Sequence, residues 1–309
     1  LSRTSMRLGS FEPGSAEWHA ARATRLGASE IAAVLGLSPW ESKFSLWHRK
    51  AGLVPPLEET EEMAWGRHLE APIASRFAEL HPEMIVRRTG TWVSARRTWQ
   101  LANPDRLVFP RQPVRRPRIP LEIKFAPYGD GWGESGTDEI PVYYRCQVLQ
   151  QIDVLDAPYG LLAALVGAEY REYRIDRDAN DILILRMEGE EFMGSLPSEL
   201  NPAGERPDID STSHTYRTLK ALHPEIDGGE VEIDQSLATY YRVAMEFARR
   251  AGSLEQRAKN LLLDAMGTAR RAVCDGERIA IRSPGRGETV RLSETKTKPA
   301  PGRKVRDAA

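Results

Sequence analysis

Glu122 and Lys124 stand two residues apart inside the run Pro120-Leu121-Glu122-Ile123-Lys124-Phe125. If that run is a strand, Glu122 and Lys124 point to one face while Leu121, Ile123 and Phe125 point to the other. A carboxylate beside an ammonium on a buried strand is costly unless it serves something. Upstream, Asp105 closes the segment Ala102-Asn103-Pro104-Asp105 and supplies a second carboxylate. Phosphodiester cleavage needs an activated water, neutralised phosphate charge and help for the leaving oxygen. Mg²⁺ ions held by a few carboxylates supply all three. An acid followed by Glu-x-Lys on a neighbouring strand therefore points to a metal-dependent phosphodiesterase, with Lys124 stabilising the attacking hydroxide. Short acid-x-Lys strings also arise by chance, and a surface strand end is the competing reading.

The flanking pattern says what must position these groups. Leu69, Ile73, Phe77 and Leu80 recur at helical spacing over about 61–80, and Glu70 lies in that run with Gly66 and Ala74 four residues to either side. Small neighbours leave space over the Glu70 carboxylate, which suits a ligand site. Pro72 should kink or restart the helix. Residues 84–88, 90–94, 99–102, 106–109 and 119–125 alternate like strands, with a hairpin turn expected at Thr89-Gly90. A helix over 141–155 carries Tyr144 and Gln147; two more strands at 159–166 and 169–175 and a helix capped by Asp178 follow. Near the N-terminus, residues 1–15 read as a loose arm, and Ser29 reads as the N-cap of a helix ending at Gly36. A second helix starts near Ser42 and ends at Gly52. The five residues Trp40, Trp47, Trp65, Trp92 and Trp99 are expected in the core.

Composition sets bounds on the whole. The chain has 309 residues, 41% of them hydrophobic, enough for a sizeable core. No apolar run is long enough for a transmembrane helix, and the first residues lack a secretory h-region. Cys146 and Cys274 cannot form a disulfide framework, so a reducing cytoplasm is expected. A net charge of −1 gives no global basic footprint. Local basic clusters exist at Arg111, Arg115, Arg116 and Arg118 and at Arg87, Arg88, Arg96 and Arg97.

Four blocks in order resemble the YqaJ-type viral recombinase family, a lambda-exonuclease-like group within the PD-(D/E)XK nuclease superfamily. They are Trp18-His19-x-x-Arg22 with Ala28-Ser29-Glu30; Ala64-Trp65-Gly66-Arg67-His68-Leu69-Glu70; Asn103-Pro104-Asp105 with Leu121-Glu122-Ile123-Lys124; and Tyr144-Arg145-Cys146-Gln147-Val148. The resemblance covers about residues 11–196. It implies that Glu70, Asp105 and Glu122 bind divalent metal, that Lys124 assists the nucleophilic water and that Gln147 orients it. It also implies that Arg22 and Ser29 hold the 5′-phosphate of a duplex end. An N-cap serine with free N–H groups and a bidentate guanidinium suit that role. Asn103 stands where the family's best-known member has a phosphate-contacting serine.

The fold so implied is α/β: a PD-(D/E)XK restriction-endonuclease-like core with a mixed central sheet flanked by helices, plus a C-terminal long helix and β-hairpin. Residues 1–200 would form the nuclease domain, 201–227 a linker, 228–294 the helical and hairpin extension, and 295–309 a disordered basic tail. The implied activity is a 5′-to-3′ exonuclease on linear double-stranded DNA, leaving 3′ overhangs for phage-type recombination. It would use two Mg²⁺ ions per site, with Mn²⁺ able to substitute. Implied partners are double-stranded DNA ends, a single-strand annealing protein and further copies of the chain in a homotrimer, with no membrane, in the cytoplasm of a bacterial host. Two other readings fit the same residues: an endonuclease or single-strand-specific nuclease on the same core, and a non-catalytic DNA-binding phage protein.

Overall fold

The computed structural model describes residues 4–56, 59–112, 117–285 and 290–294. The chain divides into two compact units, Leu1–Ile226 and Asp227–Ala309. In the first, the elements run β1 (Ser5–Gly9), α1 (Ala16–Ala23), β2 (Leu26–Gly27), α2 (Ile31–Val34), α3 (Lys43–Lys50), α4 (Glu61–Leu80), β3 (Met84–Arg88), β4 (Thr91–Ser94), β5 (Gln100–Ala102), β6 (Arg106–Pro110), β7 (Ile119–Ala126), α5 (Val142–Leu155), β8 (Tyr159–Val166), β9 (Glu169–Asp176), α6 (Ala179–Ser195) and α7 (Ser213–Leu222). The expected mixed α/β architecture is present. A five-stranded sheet has the order β3-β6-β7-β8-β9, and a four-stranded sheet the order β1-β4-β5-β2.

In the five-stranded sheet only β7 and β8 are parallel. A parallel neighbour requires a crossover, and α5 provides it. Alternation along β7 divides the core as the sequence predicts. Ile119, Leu121 and Ile123 pack with Ile73, Ala74 and Phe77 of α4 on one face. Glu122 and Lys124 face α5 on the other, where they meet its side chains. Along β8, Ala163 joins the α4 layer, while Leu162, Ala164 and Val166 pack with Cys146, Val148, Leu149 and Ile152 of α5. Gly160 permits the approach of α5: a Cβ there would lie 2.5 Å from Val148 Cγ1.

Several expectations need correction. The N-terminal arm is not loose, because β1 pairs antiparallel with β4. Thr89-Gly90 does not close a hairpin: β3 pairs with β6, whereas β4 joins β1 and β5 in the other sheet. Helix α4 runs through Pro72 without a restart; loss of one N–H is outweighed by burial of Ile73, Ala74 and Phe77. The segment expected as a linker carries α7, whose Thr215 and Thr218 hydroxyls bond Ser42 and Ser45 of α3, each at 2.8 Å. Trp40 and Trp65 are exposed rather than core. Of the expected basic loop, Arg115 and Arg116 lie outside the described residues.

The second unit contains α8 (Gln235–Met266) and an antiparallel sheet of β10 (Arg271–Cys274), β11 (Glu277–Pro284) and β12 (Val290–Glu294). Asp234 caps α8 by accepting from Leu237 N. The expected long helix and the β11–β12 hairpin are found, and β10 adds a strand. The expected basic tail, 295–309, lies outside the described residues.

Candidate active site

Asp105 leads into β6 and Glu122 lies in β7, which pair in antiparallel register. The Asp105 Oδ2 accepts a hydrogen bond from Ile123 N at 2.7 Å, fixing this carboxylate beside the Glu-x-Lys segment. Glu122 is buried and fully engaged. Its Oε1 accepts from Lys124 Nζ at 2.6 Å and from Gln147 Nε2 at 2.5 Å, and its Oε2 from Gln151 Nε2 at 2.6 Å. Gln147 and Gln151 are one helical turn apart on α5, so one face of that helix grips both carboxylate oxygens. The Lys124 ammonium also lies 4.9 Å from the centroid of the Tyr144 ring.

The electrostatics identify a site strained by like charge. Burial, then the neighbouring Glu122 and Glu70, push the Asp105 carboxyl well above the usual aspartate range, against the pull of Lys124. Burial would lower Lys124, but Glu122 and Asp105 outweigh it and keep the ammonium charged far above neutral pH.

Glu70 reaches this region from α4. Its Oε1 accepts from Arg106 Nη1 at 2.5 Å, and the same nitrogen donates to Asp105 O at 2.6 Å. A Cβ on Gly66, one helical turn before Glu70, would meet nothing within 4 Å. Among the described residues, however, no three His, Cys, Asp or Glu side chains are assembled as ligands. The donor chemistry still fits a hard divalent cation at Asp105 and Glu122: both offer only oxygen, and their mutual repulsion is what a cation relieves. Glu70 joins them only if its ion pair with Arg106 opens.

The second predicted cluster is also brought together. Arg22 Nη2 donates to Ser29 Oγ at 3.3 Å, and the guanidinium lies 4.5 Å from the Trp18 ring centroid. A Cβ on Gly27 would fall 2.4 Å from Arg22 Nη2, so a larger residue there would displace the guanidinium from this position. Ser29 is not an N-cap. Helix α2 starts only at Ile31, with Glu30 as its cap residue and no side-chain capping bond. The Glu30 carboxylate instead turns back to accept from Gly27 N at 2.7 Å and is ringed by Arg22 at 3.3 Å, Lys50 at 2.8 Å and Arg49 at 3.1 Å. Burial would raise this carboxyl, but Arg22, Lys50 and Arg49 outweigh it and hold it far below the usual glutamate range. Any anion site here therefore rests on the Arg22–Ser29 pair and not on a helix N-terminus. Asn103 is not joined to that pair by any hydrogen bond among the described residues. Its Nδ2 donates to Thr91 Oγ1 at 2.5 Å, and its buried Oδ1 has no partner there.

Sequence reasoning missed Arg106, Gln151, Glu30 and Lys50 as members of these clusters. Gln151 had a signal, the four-residue spacing from Gln147. For Arg106 and Lys50 none existed, because their partners come from α4 and from the α1–β2 region. An aromatic wall flanks Lys124: Tyr144 lies 5.5 Å from Trp132 and 4.6 Å from Tyr143, and Tyr143 lies 4.8 Å from the exposed Trp40.

Comparison with known proteins adds an independent line. The protein YqaJ of Bacillus subtilis (strain 168) is 26% identical over 263 residues, covering 81% of this chain and 78% of its own length. Among solved structures, an alkaline exonuclease (LHK-Exo) of Laribacter hongkongensis superposes with a TM-score of 0.44 at 21% identity, over 58% of this chain and 91% of its own. The protein SSO0001 gives a TM-score of 0.35 at 12% identity, over 55% and 75% respectively. The family description "YqaJ-like viral recombinase domain" matches residues 17–158, a span that holds all four sequence blocks and every residue of both clusters. Residues 17–158 are thus similar to the YqaJ-like viral recombinase domain, and most of the chain to the YqaJ protein.

Proposed function

We propose that this protein is a divalent-metal-dependent nuclease, a 5′-to-3′ exonuclease that starts at the ends of linear double-stranded DNA and leaves 3′ overhangs for recombination. The observation that carries this reading is the meeting of Asp105, Glu122 and Lys124 at the junction of β6 and β7. In the reading, Asp105 and Glu122 hold the cation, joined by Glu70 when Arg106 releases it, on the PD-(D/E)XK plan implied by the sequence blocks. Bound Mg²⁺, or Mn²⁺ in its place, would supply an activated water and charge neutralisation at the phosphate.

The remaining work falls to the chain itself. Lys124 keeps a positive charge beside Glu122 and lowers the cost of negative charge on the phosphoryl oxygens. Gln147 and Gln151 hold Glu122 in one orientation by a hydrogen bond to each oxygen. Arg22, steadied by Glu30 and the Trp18 ring, and Ser29 take the terminal 5′-phosphate through charge-assisted hydrogen bonds. Asn103 belongs to the same reading as a third phosphate contact, reached by its amide. Assembly as a homotrimer, handover to a single-strand annealing protein and a cytoplasmic location in a bacterial host are parts of this proposal. No helix among the described residues is long and apolar enough to cross a membrane.

The test is digestion of 5′-phosphorylated linear duplex and of closed circular duplex with Mg²⁺. Stepwise mononucleotide release from the linear form alone is expected, with little digestion by Lys124→Ala. Cleavage of the circle would replace the exonuclease reading with an endonuclease. An intact linear form, with no Mg²⁺ binding dependent on Asp105 and Glu122, would leave only a DNA-binding role.

A further inference from the structure

Helix α1 carries Arg22 and yet buries none of its eight residues. A helix this short is marginal in water and depends on tertiary contacts for its place. Those contacts are here made by charge. Lys50 ends α3, whose Phe44, Leu46 and Trp47 are sunk in the interior. Its side chain is only 3% exposed, and its ammonium donates to Arg22 O at 2.9 Å and to Arg25 O at 2.6 Å. These carbonyls belong to the C-terminal end of α1, where a cation also suits the helix dipole. Glu30 precedes α2, all four residues of which are buried. Its Oε2 lies 2.8 Å from the Lys50 ammonium and 3.3 Å from the Arg22 guanidinium. One buried ion pair, mounted on two elements of the core, therefore holds both the backbone and the side chain of Arg22.

The pattern is more than a helix anchor requires. The two carbonyl bonds from Lys50 would suffice to dock α1; the grip of Glu30 on the guanidinium decides how that group is turned. Arg49 also touches Glu30, but it is engaged twice by Glu41, at 2.8 Å and 2.9 Å. On Arg22 only Nη2 is engaged, by Glu30 and by Ser29 Oγ, while Nε and Nη1 meet no acceptor among the described residues. The Trp18 ring covers one face of the guanidinium. Donors held in one orientation and left unspent are what a preorganised anion contact needs, because less ordering is left for the moment of binding.

We infer that Lys50 and Glu30 are positioning residues for Arg22: they dock α1 by charge and thereby set how strongly the protein prefers a 5′-phosphorylated DNA end over a 5′-hydroxyl end. The inference rests on the reading of Arg22 and Ser29 as the end-phosphate contact, and it adds two residues that act through Arg22 without touching DNA.

The test is binding of a hairpin duplex with one open end, labelled in its loop and carrying either a 5′-phosphate or a 5′-hydroxyl. Fluorescence anisotropy with the full chain in EDTA reads affinity with no cleavage. The parent should bind the phosphorylated end about 10-fold or more tighter, and Lys50→Met should reduce that preference below about 3-fold. Glu30→Gln, which keeps the shape, should do the same and supplies the answer if Lys50→Met does not fold. Hydrogen exchange should also speed up about 10-fold or more over α1 in Lys50→Met, with α5 as protected as in the parent. A merely structural role would weaken both duplexes in equal proportion and leave the preference intact. A parent that prefers the phosphorylated end, with variants that keep the same preference or an α1 as protected as before, would overturn the inference alone. A parent indifferent to the two ends would overturn it together with the phosphate reading of Arg22 and Ser29.

Discussion

Helices α5 and α8 invert one another. α5 puts polar side chains inside: Gln147, Gln150, Gln151 and Asp153 are all buried. α8 puts large apolar side chains outside. Each inversion carries a cost, and each is accounted for differently. On α5 each of the four makes at least one side-chain hydrogen bond, which lowers the cost of burial, although the buried Oε1 atoms of Gln150 and Gln151 have no partner among the described residues. Gln147 and Gln151 hold Glu122, and Gln150 donates to Leu26 O at 2.9 Å and Leu101 O at 3.1 Å, tying α5 to β2 and β5. Asp153 accepts from Arg97 at 2.9 Å, Gln100 at 3.0 Å, Arg186 at 2.9 Å and Arg177 at 3.2 Å. One helix thus anchors both sheets and orients the Glu122 carboxylate. On α8 no such accounting exists among the described residues of its own unit. The buried polar side chains of α5 mark a site completed by the chain itself.

The largest expected effect lies on the α5 side. Lys124→Ala should reduce duplex digestion by about 1000-fold or more, because it removes charge stabilisation at the phosphate, and should also cost stability, because the buried Glu122 carboxylate loses the ammonium beside it. Asp153→Ala should act on stability first. Three arginines lose their buried partner, and chemical denaturation should report a loss of about 3–5 kcal/mol. Full stability in Asp153→Ala would break the claim that α5 is an anchor. Gln151→Ala, which frees one oxygen of Glu122, should cost about 1–3 kcal/mol of stability or an equivalent fall in rate, less than either.

Acid sharpens the contrast. Burial would raise Asp153, but hydrogen bonds from Arg186 and Gln100 and the charge of Arg97 outweigh it and lower the carboxyl. A carboxyl held lower in the folded state than in the unfolded chain adds stability that is fully present above the ordinary aspartate value of about 3.9. That stability disappears as pH falls through the lower folded value. Urea midpoints measured between pH 5 and pH 2 should therefore drop, and Asp153→Asn should flatten the curve. The smallest effect belongs to α8: Phe247→Ser should change stability by no more than about 0.5 kcal/mol, as exposed positions do.

The strands that carry Asp105, Glu122 and Lys124 were legible because alternation is a local code. Glu122 and Lys124 had to share a face of β7, and the helical spacing of Leu69, Ile73 and Phe77 had to cover the other. The rest depended on pairings set by distant residues. Nothing near Thr89-Gly90 tells a hairpin from a crossing between sheets; that choice is made by β1 and β6, which claim β4 and β3. Ser29 has the right type for an N-cap, but Arg22 and the inward turn of Glu30 decide its role. Helix α7 hides in a Pro- and Gly-bordered segment, and its place is set by hydroxyl contacts to α3 that no periodicity displays.

The most direct test of the central claim is single-turnover cleavage of 5′-phosphorylated linear duplex across a Mg²⁺ titration. The parent chain is compared with Asp105→Asn and Glu122→Gln, variants that keep shape and remove charge. The account predicts a saturable Mg²⁺ dependence in the parent and a fall of about 100-fold or more in each variant, in line with the loss of a preorganised charge at a reacting centre. Cleavage at the parent rate by either variant, or a parent rate indifferent to Mg²⁺ and to its removal by chelator, would contradict it.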